Sequence, residues 1–217
     1  MIIEKPRTAI YNQDRSVALY FDFDEEELRY PQAEFDIRGG ICWPVTYRKD
    51  GFIDSQGYIV VAGKNLETGV ITIFEQKDFI VVEPIINQDT QIIEYPGISN
   101  FINNAFSKYY CRKYYWHQNF ELSKKWRLDV LRSPMIEPKP TLIEISWGED
   151  QDADHLIFLM IKRRLLRHDP NAELYNQLQA VKQDYKKKKN QILPAVRALQ
   201  CVLMAMERFP FRRKELF

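Results

Sequence analysis

Glycine is confined almost entirely to one half of this chain. Seven of its eight glycines fall between Gly39 and Gly97, and none follows Gly148. Glycine permits turns and left-handed backbone but costs a helix about 1 kcal/mol relative to alanine. The first half is therefore expected to be strands and turns, and the second mostly helix. The chain has 217 residues, 45% of them hydrophobic. That is enough for a core that needs no disulfide or metal staple.

Lysine and arginine total 31 against 30 acidic residues, a formal charge of +1. Global charge thus selects no partner, and any nucleic-acid contact has to come from a local basic patch. Cys42, Cys111 and Cys201 are far apart and form no CxxC pair, which argues against a zinc ribbon or a disulfide framework and fits a reducing cytoplasm. The start, Met1-Ile2-Ile3-Glu4-Lys5-Pro6, lacks the apolar region of a signal peptide. The longest apolar stretch, Leu156 to Ile161, is far too short to span a bilayer. A soluble chain with no membrane partner and no small-molecule cofactor is expected.

The expected elements follow from period and punctuation. Val17 to Phe23 reads as a strand or the end of a short helix. Gly39 to Tyr47 reads as a strand entered through glycines, with Pro44 making it an imperfect central strand. Tyr58–Ala62 and Val70–Glu75, joined across Gly63 to Gly69, give the clearest hairpin signal. Phe79 to Ile86 is apolar enough to continue the sheet. Ser99 suits an N-cap, after which Phe101, Ile102, Ala105, Phe106, Tyr109 and Tyr110 recur at helical spacing. Tyr114-Tyr115-Trp116 predicts a short buried strand, Phe120 to Leu131 a helix, and Thr141 to Trp147 another strand. Helices are expected from the acidic segment at Asp150 through Leu166, over Ala172 to Val181, and over Leu193 to Phe209 with Pro194 in its first turn. The order predicts one α/β domain over 39–217, a central mixed sheet with helices packed on it, preceded by an N-terminal arm over 1–38.

Few clusters carry chemistry. Glu149-Asp150-Gln151-Asp152-Ala153-Asp154 lacks the glycine and distal glutamate of an EF-hand loop and reads as the acidic start of a helix. His117, His155 and His168 share no metal-ligand spacing, and no metal site is expected. No P-loop, G-x-G-x-x-G or G-x-S-x-G is present. The basic features are Lys108, Arg112 and Lys113, interleaved with Tyr109, Tyr110, Tyr114, Tyr115 and Trp116, and the run Lys186, Lys187, Lys188 and Lys189. Lys162 to Arg167 and Arg212-Arg213-Lys214 are further cationic stretches. Cations among aromatics contact phosphates and stack on bases. Helix C-terminal cations and a solvated lysine loop have the same appearance, and both readings stay open.

Gly39-Gly40-Ile41-Cys42-Trp43-Pro44, the hairpin after it, Arg164-Leu165-Leu166-Arg167-His168-Asp169, Glu173-Leu174-Tyr175-Asn176-Gln177-Leu178 and Leu193-Pro194-Ala195-Val196-Arg197-Ala198-Leu199 occur in a telling order. Over roughly 38–210 the chain resembles the C-terminal nuclease domain of phage terminase large subunits. The resemblance implies an RNase H-like fold. It also implies three carboxylates that hold two divalent metals, which clamp the attacking and leaving oxygens of a phosphodiester.

On that resemblance, Cys42 takes the first carboxylate position, His117 the second and Pro194 the third. Proline binds no metal, and a neutral Cys/His pair suits Mg²⁺ poorly. The implied protein is a pseudonuclease of phage or mobile-element origin, in the host cytoplasm, with Lys108, Arg112, Lys113 and Lys186 to Lys189 as its DNA contacts. Two alternatives remain. One is an active Mg²⁺- or Mn²⁺-dependent nuclease with acids relocated among Asp50, Asp54, Glu75, Glu121 and Glu144. The other is a protein-binding subunit of a virion or other assembly.

Overall fold

The computed structural model describes residues 7–11, 17–22, 35–43, 56–80, 85–86, 88, 93–94, 96–117, 133–146, 151–168, 173–184 and 193–210. Its strands are β1 (Arg7–Tyr11), β2 (Val17–Asp22), β3 (Phe35–Cys42), β4 (Gln56–Asn65), β5 (Ile71–Ile80), β6 (Ile85–Ile86), β7 (Ile93–Glu94), β8 (Lys113–Trp116), β9 (Thr141–Glu144) and β10 (Leu166–His168). Its helices are α1 (Pro96–Tyr109), α2 (Gln151–Lys162), α3 (Glu173–Asp184) and α4 (Pro194–Arg208).

Among the described residues the strands form one eight-stranded sheet, in the order β2-β1-β10-β5-β4-β3-β8-β9, and a small β6–β7 pair. β4 runs antiparallel to β3 and β5, while β8 and β9 run parallel to β3. The run β5-β4-β3-β8-β9, antiparallel on one side of β3 and parallel on the other, makes this a mixed α/β sheet with helices packed on it. α1 covers one face, where Ile98, Phe101, Ile102 and Ala105 pack with Ile41, Ile59, Val61, Tyr114 and Trp116. α2, α3 and α4 cover the other, with α4 centred over Tyr58, Val60 and Ala62. β3 is covered on both faces and is buried along nearly all its length, so its sequence does not alternate.

Several elements differ from the sequence expectation, each for a local reason. β3 begins at Phe35 and ends before Pro44, and the boundary drawn at residue 38 therefore falls inside a strand. β1 pairs with β10, so the described part of the first 38 residues belongs to the sheet. α1 starts at Pro96, since proline fits a first turn. Ser99 is therefore inside the helix, buried, with no partner on Oγ. Phe79 and Ile80 are the last residues of β5 rather than the start of a further strand of the sheet, and Ile85–Ile86 pairs with β7 instead.

The helix expected through Leu166 stops at Lys162. Arg164 turns left-handed at φ 58°, with its N–H on the Ile161 carbonyl at 3.0 Å and that of Leu165 on the Met160 carbonyl at 2.8 Å. This pair of bonds closes a helix end. It frees Leu166–His168 to pair in parallel with β5, so His168 belongs to a strand. The helix expected over Phe120 to Leu131 lies outside the described residues.

Candidate functional site

Two of the positions placed by resemblance, Cys42 and His117, meet at one end of the sheet. β3 and β8 pair in parallel with Gly39 against Tyr114, Gly40 against Tyr115 and Ile41 against Trp116. Continuing that register by one residue sets His117 beside Cys42. Side chains alternate between faces along a strand. Ile41 and Trp116 pack on the α1 face, and Cys42 packs among α4 residues. His117, one residue past Trp116, falls on the same face as Cys42.

Across the other edge of β3, Cys42 pairs with Tyr58, and Tyr58 with Asp78. Asp78, Tyr58, Cys42 and His117 thus stand abreast on the α4 face, at the C-terminal ends of the parallel strands.

α4 closes the site. It runs antiparallel to β3, and its backbone presses on Gly40, where an added Cβ would meet the Ala198 carbonyl oxygen at 2.1 Å and Val202 Cγ2 at 2.7 Å. No other residue type fits there without a shift. The close approach brings Cys201 Sγ to 3.9 Å from the Ile41 carbonyl, and the His117 backbone also hydrogen-bonds this thiol. The Gln177 side chain of α3 accepts from the Ala195 N–H at 2.8 Å and so satisfies one free donor at the start of α4.

The charge that acts on the two thiols is opposite to that of a metal clamp. Burial pushes the Cys42 thiol up to about 12, against the lowering effect of the Arg197 guanidinium. Burial, with Cys42 beside it, also pushes the Cys201 thiol up, again against Arg197. At neutral pH both sulfurs are protonated, and the nearby charge acting on them is positive. Tyr58 is raised to about 12 by burial and by the carboxylates of Glu173 and Asp78. Its hydroxyl donates to Gln76 Oε1 at 3.0 Å. Protonated thiols beside a buried guanidinium do not fit Mg²⁺ or Mn²⁺, which take anionic or carbonyl oxygen donors. Among the described residues no three His, Cys, Asp or Glu side chains are grouped to hold a metal ion.

Of the residues placed by resemblance, Cys42 and His117 come together. Pro194 sits in the first turn of α4, half-buried. The α4 residue whose charge reaches Cys42 is Arg197, one turn further on. The signal for it was a lone cation inside the apolar run from Leu193 to Leu199. Glu75 pairs with Val61, on the α1 face, and lies 3.8 Å from Lys108 Nζ. Glu144 pairs with Trp116, also on the α1 face. Neither faces Cys42. Asp50, Asp54 and Glu121 lie outside the described residues. The carboxylates that do reach this face, Asp78 and Glu173, were missed because strand register and helix docking, not sequence spacing, bring them to Tyr58.

The basic residues divide. Lys108, Arg112 and Lys113 are exposed at the end of α1 and the start of β8, at the opposite end of the sheet from Cys42. Lys186 to Lys189 lie outside the described residues; in sequence, four residues separate Lys189 from Pro194. No helix among the described residues is long and apolar enough to cross a membrane.

No family model matches the chain, and neither does any curated protein. Among solved structures it is similar to a Holliday junction resolvase of fowlpox virus, with 8% sequence identity and a TM-score of 0.41 over 80% of this chain and 100% of that one. At that identity and score the likeness assigns no residue of this chain a role.

Proposed function

We propose that this chain is a nuclease-like domain that holds nucleic acid without cutting it, a pseudonuclease of the terminase kind serving packaging or assembly. One observation carries the reading. At the strand ends where a two-metal nuclease concentrates carboxylates, this chain has a protonated, buried Cys42 under the positive charge of Arg197. A buried guanidinium and protonated thiols at this place do not offer the anionic oxygen donors that the two-metal chemistry needs. The lysine run Lys186 to Lys189, just ahead of α4 in sequence, supplies phosphate contacts in this reading.

The test is incubation of supercoiled plasmid with the protein and Mn²⁺, against an EDTA control. Retardation without nicking is the expected result. Replacing Lys186 to Lys189 with alanine is then expected to weaken binding and to lower the slope of log K against log salt by up to about 0.9 for each phosphate no longer neutralised. Metal-dependent nicking overturns the reading and directs attention to Asp78 and Glu173. No retardation at any salt leaves a protein-assembly role in its place.

A further inference from the structure

The end of the sheet opposite Cys42 carries a basic rim that no stretch of sequence displays as a unit. The parallel strands all start here, so segments distant in sequence meet. Exposed Arg163 and Arg164 follow the end of α2, and the Leu165 carbonyl after them accepts from Ile71 N–H at 2.7 Å. That ties the α2 end to the first residue of β5. Lys64, at the end of β4, pairs with the same Ile71. Two strands further on, exposed Arg112 precedes β8 and exposed Lys113 begins it. From β10 to β8 is four strand spacings, about 19 Å. Glu67, in the turn between β4 and β5, is an exposed carboxylate set into this row.

An aromatic platform stands beside these cations. Tyr110 is 53% exposed and holds a left-handed backbone, φ 53°, a conformation that costs a non-glycine residue about 1 kcal/mol or more. Its ring lies 5.3 Å from that of Phe106, and the Arg112 guanidinium sits 5.2 Å from the centre of the Phe106 ring. Glycine or asparagine is the usual choice at such a helix end. Here a large ring is kept there and turned to solvent.

We infer that this rim binds single-stranded nucleic acid, with Tyr110 stacking on a base while Arg112, Lys113, Arg163 and Arg164 hold the phosphates. Cations along a track together with an exposed ring are what unpaired strands recognise, because every base offers a π-face. A duplex would use the cations and leave the ring idle. The inference rests on the reading that the domain holds nucleic acid, but it names a different surface from the Cys42 end and the lysine run.

The test is fluorescence anisotropy of a labelled oligothymidylate, which cannot base-pair, titrated with the full chain. Tyr110→Asn removes the ring while suiting the left-handed backbone. It is expected to weaken binding about tenfold or more with the salt slope unchanged, and Tyr110→Phe to restore it. Arg112→Ala with Arg163→Ala is expected to lower the salt slope by about 0.7 for each phosphate no longer neutralised. Circular dichroism melts of each variant establish that it is folded. Wild-type affinity and slope in both variant sets overturn the rim, as does failure of the wild type to bind the oligonucleotide. Weakened binding only in the lysine-run variant overturns the rim and leaves the proposed function standing. Failure of the wild type to retard plasmid removes that function as well.

Discussion

Gly40 lies directly beneath the Ala198 carbonyl, so close that a Cβ would come within 2.1 Å of its oxygen. The approach is backbone to backbone, and neither partner can rotate away. Gly40→Ala is therefore expected to push α4 off β3 and to cost about 3 kcal/mol, the upper part of the range for overpacking a core. Urea denaturation measures it, and a destabilisation under about 1 kcal/mol would mean that α4 can shift freely.

Arg38 is a second fastening of the same helix. Its side chain is buried on β3, paired with Asp36 at 2.7 Å, and its guanidinium donates to the carbonyls of Ala205, at 2.6 Å, and Phe209. It also lies 5.6 Å over the Tyr115 ring. Arg38→Met leaves Asp36 buried and alone and strips the end of α4 of its donors. A destabilisation of about 3–5 kcal/mol is expected. The double change Asp36→Leu with Arg38→Met is expected to recover part of it, which a double-mutant cycle reads directly.

Arg164 occupies a left-handed position that glycine fills without strain. Arg164→Gly is expected to stabilise the fold by about 1 kcal/mol, raising Tm by about 2–4 °C for a domain of this size. An unchanged or lower Tm would show that the arginine side chain makes a compensating contact.

The buried thiols set an alkaline limit on stability. Cys42 and Cys111 are both raised to about 12 from 9.0, chiefly by burial, and Cys201 is raised by the same cause. Above pH 9 the unfolded chain loses these protons while the folded chain keeps them. Stability from this source is thus full below about pH 9 and declines as pH climbs toward 12. Between about pH 8 and pH 10 the decline is expected to reach about 1.4 kcal/mol for each thiol. Cys→Ala variants should flatten the profile, and a thiol reagent at about pH 8 should label the thiols only after denaturation.

Mg²⁺ and Mn²⁺ are expected to leave Tm unchanged. A metal at one hundred times its Kd adds about 2.7 kcal/mol, which a thermal melt at about 5 mM metal would register for any site with Kd near 50 μM. A rise in Tm that EDTA reverses would contradict the charge arrangement around Cys42.

The class and order of elements were legible in the residues alone. The glycine bias separated the strand-rich half from the helical half. The hairpin, the Tyr114–Trp116 strand and α4 stand where period and punctuation put them, because local propensity and burial agree there. Tertiary structure decided the rest. Leu166–His168 became a strand because β5 offered an edge whose main-chain bonds outweigh helical preference. Cys42 met Arg197, and Tyr58 met Asp78 and Glu173, through a strand register and a helix contact that bring together residues far apart in the chain. The basic residues at the end of α1 parted from the Cys42 end because β8 runs parallel to β3, so its start and its end lie at opposite ends of the sheet. Side-chain pattern is a local property of a chain. Which ends and faces coincide is set by strand direction and packing, and those exist only once the chain is folded.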